Sequence, residues 1–256
     1  MSTEQGRVAL VTGASSGIGW ATAVGLAERG FTVHAAARRA ERLASLTAEV
    51  DCQAHVLDVT DPDAVIATID DIGPIDLLIN NAGLGRGWGP GALAETSYAD
   101  IEMVVSTNVT SVLHLVQAVL PGMVERKRGH IINLGSVAGH YALPAALYGA
   151  TKAAIHRLCT NLRLELAGTG VRVTEIAPAR VQTEFYDVAV DDPEERRAIV
   201  ETGAIDVTAA ECADTIVYCA TVPDHVNITR LELQPVEQTY GGSQFTLLDS
   251  SELLDS

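Results

Sequence analysis

Thr12-Gly13-Ala14-Ser15-Ser16-Gly17-Ile18-Gly19 is the stretch that decides the fold. It follows Val8-Ala9-Leu10-Val11, a β-branched apolar run that reads as a strand, and opens a helical segment at 17–29. Three glycines at a strand-to-helix junction have a physical reading. Gly13 allows a tight turn, Gly17 lets a ligand approach the backbone, and Gly19 permits close helix packing. The free amides and positive dipole end of the helix would then face a diphosphate. The spacing is G-x-x-x-G-x-G, one residue longer at the front than the common dinucleotide fingerprint. A glycine-rich turn with no ligand is the plainer alternative.

Outward from this loop, short apolar runs alternate with amphipathic stretches. Strands are expected at 8–12, 32–37, 55–59, 75–79, 130–134, 171–176 and 228–233. Helices are expected at 17–29, 41–50, 62–71, 98–120, 147–166 and 209–220, with Pro121-Gly122 stopping the fourth. This alternation predicts an α/β fold, a doubly wound parallel sheet with helices on both faces and right-handed crossovers. No internal repeat or linker divides the chain. One domain is expected over 1–242, with a charge-rich segment at 180–207 as a mobile lid and an acidic, serine-rich tail at 243–256.

Composition bounds the partners. The 256 residues carry 17 Lys plus Arg against 33 Asp plus Glu, a formal net charge of −16. Nucleic acids and anionic membrane surfaces are bound through positive charge, so neither partner is expected. No apolar run approaches the ~18–20 residues of a membrane span, and Arg7 with Val8–Val11 is too short for a signal segment. Cys52, Cys159, Cys212 and Cys219 form no C-x-x-C pair. They read as free thiols in a reducing cytoplasm, with no metal site.

The second strand ends in Ala35-Ala36-Ala37-Arg38-Arg39, with Arg42 close behind. In a dinucleotide fold this strand end meets the adenosine ribose. An acidic residue there would accept from a 2′-hydroxyl, whereas guanidinium forks grip phosphate. The pair therefore predicts a preference for NADP(H) over NAD(H). The alternative is a solvated helix start, but cations at a helix N-terminus oppose its dipole, so something should compensate them.

Ser136 follows the strand at 130–134, and Tyr148 and Lys152 follow in Tyr148-Gly149-Ala150-Thr151-Lys152. Four residues apart on a helix, Tyr148 and Lys152 share a face. An ammonium beside a phenol would lower the phenol's pKa and let it exchange a proton near neutral pH. Ser136, at a strand's carboxyl end, can donate to a carbonyl oxygen. A lone Tyr-x-x-x-Lys is common by chance, so the order of loop, serine and pair carries the argument.

With these motifs in place, the chain resembles the short-chain dehydrogenase/reductase family over nearly its whole length. The resemblance rests on 12–19, Asp58-Val59, Asn80-Asn81-Ala82-Gly83, Asn108, Ser136, Tyr148 and Lys152. It implies a single Rossmann-type domain with a seven-stranded parallel sheet, usually assembled as a homotetramer, with a homodimer as the alternative. It implies Tyr148 as acid/base and Ser136 as the group that orients and polarises the carbonyl. Lys152 would bind the nicotinamide ribose and tune Tyr148, and Asn108 would help hold Lys152 and a relay water. Cofactor contacts would come from Gly13, Ser15, Ser16, Gly17, Ile18, Gly19, Arg38, Arg39, Asp58, Val59, Asn81, Ala82, Gly83, Tyr148, Lys152, Pro178, Val181 and Thr183. The chain departs from the family at Pro178-Ala179, where Pro-Gly is usual, so the local turn is expected to differ. Segments 119–123, 130–133 and 227–236 look like the branch of NADP-dependent 3-hydroxy-acid and serine dehydrogenases and carbonyl reductases.

The expected activity is therefore reversible hydride transfer between NADP(H) and a small carbonyl compound or secondary alcohol, a 3-hydroxy acid or a ketone. A non-catalytic NADP-sensing protein on the same fold is the rival, and a ligand-free scaffold a third reading. Trp88, His140, Tyr141, Leu143 and Phe185 are the candidate substrate residues, giving a mostly apolar pocket. Arg180 reads either as a solvated lid charge or as a partner for an anionic substrate.

Overall fold

The apolar run Val8–Thr12 forms strand β1 at the centre of the sheet, in a computed structural model that describes residues 6–89, 91–239 and 244–247. Helix α1 (Gly17–Glu28), β2 (Thr32–Ala37), α2 (Ala40–Glu49), β3 (Cys52–Val56), α3 (Pro62–Ile72) and β4 (Leu77–Asn80) follow. The middle of the chain gives α4 (Ala92–Glu95), α5 (Tyr98–Val105), a π-helical turn (Ser106–Thr110), α6 (Ser111–Glu125) and β5 (Gly129–Leu134). After a 3₁₀ turn (Val137–Gly139) come α7 (Ala146–Glu165), β6 (Val171–Pro178), β7 (Val181–Gln182), α8 (Phe185–Ala189) and α9 (Pro193–Val200). The last elements are β8 (Val207–Thr208), α10 (Ala209–Thr221) and β9 (Arg230–Leu233).

Seven strands form one parallel sheet in the order β3-β2-β1-β4-β5-β6-β9, the Rossmann-type α/β arrangement expected. The central strands are buried on both faces, which is why β1, β4 and β5 read as near-continuous apolar runs, whereas the edge strand β3 is largely exposed. Successive residues point to opposite faces. Val11, Ile79 and Ile132 join Leu26 of α1 and Ile216 of α10 in one layer. Their neighbours Leu10, Leu78 and Ile131 join Leu115 of α6 and Ile155 of α7 in the other. The strand order reverses between β1 and β4, and the crevice outside the carboxyl ends at such a switch point is where open α/β sheets take ligands.

Four expectations are corrected. The third strand lies at Cys52–Val56 rather than 55–59, in register with β2 from Val33↔Cys52 to Ala37↔Val56. Leu57 to Val59 leave the sheet as a loop, turned by the Asp58 carboxylate, which accepts from the Thr60 amide and hydroxyl. Helix α6 runs through Pro121 to Glu125 instead of stopping there. Pro121 and Gln117, whose carbonyl loses its donor, are both on the exposed face, so water can serve that carbonyl, while buried Met123 anchors the last turn. Because α5, the π turn and α6 are continuous, Tyr98–Glu125 is long and apolar enough to cross a membrane by length and composition. Its apolar face is spent on the protein, since Val112, Leu115, Val116, Val119 and Met123 are buried against the sheet. Finally, 180–207 is not one long connection but carries two short helices and the β7–β8 pair.

The expected tail at 243–256 falls mostly outside the described residues. Within them, Phe245 makes an antiparallel bridge to Gln238. Ala179 needs no glycine conformation: Lys127 is the one non-glycine with positive φ among the described residues. The Ala179 amide donates to the Leu233 carbonyl at 2.7 Å, which sets the turn through β9 instead.

Candidate active site

The glycine loop leaves β1 beneath the switch point. Thr12 is fully buried, and its hydroxyl donates to the Ile79 carbonyl at 3.1 Å while accepting from the Asn81 and Ala82 amides. The Asn81 side chain donates back to the Thr12 and Gly13 carbonyls. Asn81 therefore braces the loop as well as bordering the crevice. Gly13 has φ +67°, and a Cβ on Gly19 would lie 2.4 Å from the Gly13 carbonyl oxygen. Only hydrogen fits there, so the loop folds onto the helix start and leaves a cradle above it.

That cradle is part of a cavity of about 430 Å³ lined by Gly13, Ser15, Ser16, Gly17, Ile18, Arg38, Arg39, Asp58, Val59, Asn81, Ala82, Gly83, Tyr148, Lys152, Pro178 and Thr183. Of the expected cofactor contacts, Gly19 lies beneath the loop, and Val181 borders the neighbouring cavity. Sequence reading missed Leu57, Leu84, Thr107, Gly135 and Glu184 in this wall. The residues fit a phosphorylated dinucleotide: a hydrogen-only cradle for the diphosphate beside two guanidinium groups.

The arginines are compensated, as their place at a helix start requires. Arg39 donates from Nε to Ser15 Oγ at 3.0 Å and from Nη1 to Glu184 Oε2 at 2.8 Å, and Nη2 reaches Ser16 Oγ. Arg42 meets the other Glu184 oxygen at 3.3 Å. The Arg39 hydrogen bond, with the Arg39 and Arg42 charges, holds the Glu184 carboxyl below its ordinary range. Burial would raise Asp58, but the Thr60 hydrogen bonds and the Arg38 charge outweigh it and leave it lowered.

Ser136, Tyr148 and Lys152 come together at the carboxyl end of β5, all three buried. Ser136 Oγ accepts from the Ala138 amide at 3.1 Å and lies 3.3 Å from the Pro178 carbonyl. Lys152 Nζ is 5.7 Å from the Tyr148 ring centroid and donates to the Leu134 carbonyl at 2.7 Å. The expected lowering of Tyr148 is not what this arrangement gives. Burial dominates and raises the phenol well above its ordinary value, with the Ser136 hydrogen bond pulling the other way. Burial lowers Lys152 to about 8, and the Glu175 carboxylate opposes that shift.

Asn108 sits in the π turn, but its partners differ from the expectation. Its amide donates to the Leu84 carbonyl at 2.8 Å and Thr151 Oγ1 at 3.1 Å, and its Oδ1 accepts from the Leu84 amide. It clamps the loop at Leu84 to Thr151, the residue before Lys152, rather than bonding Lys152 itself. Single π turns often mark functional positions.

A second cavity of about 480 Å³ adjoins Ser136 and Tyr148. Trp88, Leu143 and Phe185 line it as expected, joined by Tyr186, Arg180 and Phe245. His140 and Tyr141 do not. His140 Nε2 is 2.9 Å from Glu175 Oε1, drawn away by that fully buried carboxylate, whose Oε2 lies 2.8 Å from His156 Nδ1. These three side chains are of metal-ligating type, and one nitrogen of each imidazole meets a Glu175 oxygen. Tyr141 donates to Glu232 at 3.2 Å. Arg180 is no solvated charge: its two Nη atoms donate to the Ile199 and Val200 carbonyls, Thr202 Oγ1 and Asp206 Oδ2. Its guanidinium also stacks 4.8 Å from the Phe245 ring centroid.

The short chain dehydrogenase family model matches residues 7–194. The chain belongs to the short-chain dehydrogenase family. Serine 3-dehydrogenase of Rhizobium radiobacter is 40% identical over 242 residues, 92% of this chain and 96% of that protein. The NADP-dependent 3-hydroxy acid dehydrogenase YdfG of Escherichia coli (strain K12) is 38% identical over 243 residues, covering 92% and 97%. Among solved structures, the closed form of a serine dehydrogenase complexed with NADP+ superposes with a TM-score of 0.86 at 36% identity, covering 94% of this chain and all of that one. As a member of the short-chain dehydrogenase family, the chain brings Ser136, Tyr148 and Lys152 to one crevice.

Proposed function

We propose that this protein is an NADP(H)-dependent oxidoreductase that interconverts a carbonyl compound and a secondary alcohol, with Ser136, Tyr148 and Lys152 as its catalytic residues. The observation that carries the reading is the convergence of these three buried side chains where two cavities meet. One cavity holds the glycine cradle and the arginines; the other has apolar walls. When bound, NADP(H) supplies or accepts the hydride. The loop from Gly13 to Ile18, Arg38 and Arg39 on the side of the 2′-phosphate, and Asp58 and Val59 on the side of the adenine would hold it. Asn81 to Gly83, Lys152, Pro178, Val181 and Thr183 complete that wall.

The chain's own groups then have separable tasks. The Ser136 hydroxyl donates to the substrate oxygen and fixes its orientation. The Tyr148 O–H passes its proton to that oxygen as the C–O double bond becomes single, and takes it back in the oxidative direction. Burial keeps Tyr148 protonated, which suits it as an acid. Lys152 places positive charge behind the phenol and stabilises the phenolate left when the proton departs. Asn108 positions the Leu84 wall and Thr151. Trp88, Tyr186, Phe185 and Phe245 give the second cavity aromatic walls that a bound substrate would pack against.

The aromatic walls and the pairing of Arg180 with Asp206 favour a ketone with an apolar body. A small 3-hydroxy acid is the second reading, favoured by the names of the relatives and by Arg180 Nε, which is buried without a partner. NADPH consumption across ketones, aldehydes and 3-oxo acids separates the two. Tyr148→Phe is expected to lose roughly 10²–10⁴-fold in kcat/KM while NADPH still binds. Activity within tenfold of the parent would overturn the role, and NADPH binding with no turnover on the whole panel would revive the sensing reading.

The fold reading extends to one catalytic domain over 1–242 with 180–207 as its lid. A homotetramer, or a homodimer, is the expected assembly. A reducing, cytoplasmic setting is supported by Cys52, Cys159, Cys212 and Cys219, all free thiols.

A further inference from the structure

We propose that Glu184 occupies the place of the cofactor's 2′-phosphate, and that a 2′-phosphorylated nucleotide displaces it and thereby resets the lid over the substrate cavity. This rests on the NADP(H) reading above. Glu184 reaches Arg39 and Arg42 across more than 140 residues of sequence, one carboxylate oxygen to each guanidinium. It lines the same cavity as Ser15, Ser16 and Arg38. A carboxylate and a phosphate are both anions that guanidinium groups read through paired N–H donors. A 2′-phosphate directed to these arginines competes with Glu184 for the same donors. The two anions also repel, so both cannot stay. A ribose 2′-hydroxyl brings no charge and leaves Glu184 where it is.

The exchange is feasible because the pairs are half exposed, with side-chain exposures of 46% for Arg39, 56% for Arg42 and 43% for Glu184. Such ion pairs are weak. A buried pair would resist substitution.

Its consequence follows from the two flanking residues. Thr183 packs on the glycine loop, its Cγ2 lying 3.0 Å from where a Gly17 Cβ would be. Phe185 stacks 5.1 Å from the Tyr148 ring and 6.2 Å from Trp88. Three consecutive residues thus touch the phosphate loop, the arginine pair and the substrate cavity. Glu184 is the residue that opens the short helix α8, so the loss of its two ion pairs frees the start of that helix and, through the backbone, the adjoining Phe185. Beyond it, Arg180 ties the end of α9 to Asp206. The segment has other ties to the body, among them Arg86 with Asp191 and the Ile205 amide with Glu237, but the Glu184 tie is the one of these that lines the glycine-loop cavity.

The test uses the full chain with 2′,5′-ADP and 5′-ADP as probes. Trypsin cleavage after Arg196 and Arg197 of α9 reports the lid, since Arg197 is 70% exposed. In the parent protein, 2′,5′-ADP is expected to change the cleavage rate and 5′-ADP to leave it unchanged. In Glu184→Gln the rate should already be shifted and no longer respond to 2′,5′-ADP. By calorimetry the same variant should bind 2′,5′-ADP and NADPH roughly three- to tenfold more tightly, with NADH unchanged. Equal effects of the two probes on cleavage would overturn the proposal, as would unchanged or weaker NADPH binding in Glu184→Gln. If neither NADPH nor NADH binds the parent protein, the cofactor reading itself falls, and the proposal with it.

Discussion

Glu175 shows how much one residue's setting can decide. It is fully buried on β6, each oxygen facing one imidazole, with Lys152 one helical turn before His156 on α7. A carboxylate without water needs partners, and two histidines and an ammonium provide them. Burial brings Lys152 down to about 8, and Glu175 holds it from falling further. If Lys152 must be charged, kcat/KM falls as pH rises through that value. Glu175→Gln should start this fall at lower pH, read from the pH profile, while NADPH affinity at pH 6 stays near that of the parent. A profile that does not move would show that Glu175 only fills space. The sign for stability is opposite. An unfolded lysine keeps its proton to about 10.5, so between about 8 and 10.5 unfolding takes up a proton and Lys152's contribution to stability rises with pH. None of this was legible in the sequence. His140 read as a substrate contact, because only the register of β6 beside β5 reveals the carboxylate that turns it away.

At the scale of elements, boundaries depended on which groups found partners. The start of α10 is fixed by a capping box: Thr208 Oγ1 accepts from the Glu211 amide, and the Glu211 carboxylate accepts from the Thr208 amide at 2.7 Å. Thr208→Ala should lower stability by about 0.5–2 kcal/mol in urea unfolding. The starts of α3 at 62 and of α10 at 209 were legible in the sequence, and the Asp61 cap and the Thr208 box are what hold them there. The span of α6 was not, because Pro121 ends a helix only where its turn has no other anchor. The elements within 180–207 were also opaque. Arg180 caps the α9 carbonyls Ile199 and Val200 from 19 and 20 residues away. Arg180→Met should loosen α9, seen as faster trypsin cleavage at Arg197, and should lower the melting temperature, since Asp206, 12% exposed, loses its partner.

For the molecule as a whole, two surfaces matter. Tyr98 and Leu164 are 89% and 79% exposed, with Val105 and Leu113 also partly bare, on the helices of one sheet face. Apolar side chains this exposed on neighbouring helices are an interface signature. Light scattering is expected to give four times the 27.0 kDa chain mass, or twice it for a dimer. A monomer would leave those residues unexplained. The other surface is internal: Phe245, far along the chain, lines the second cavity beside Arg180. Phe245→Ala should raise the KM for the carbonyl substrate severalfold and leave NADPH affinity unchanged.

The sequence by itself determined the sheet, the loop and the order of Ser136, Tyr148 and Lys152. Each of those depends on local spacing: alternation along a strand, a glycine at a turn, four residues on a helix. The tertiary structure alone decided which charges meet. Glu184 with Arg39, Glu175 with His140 and His156, Arg180 with Asp206, and Phe245 over the cavity join segments that spacing cannot relate. Long-range pairs form where the packed sheet brings strand ends together. Buried charges must then find whatever partners the topology delivers, and that constraint leaves no periodic mark in the chain.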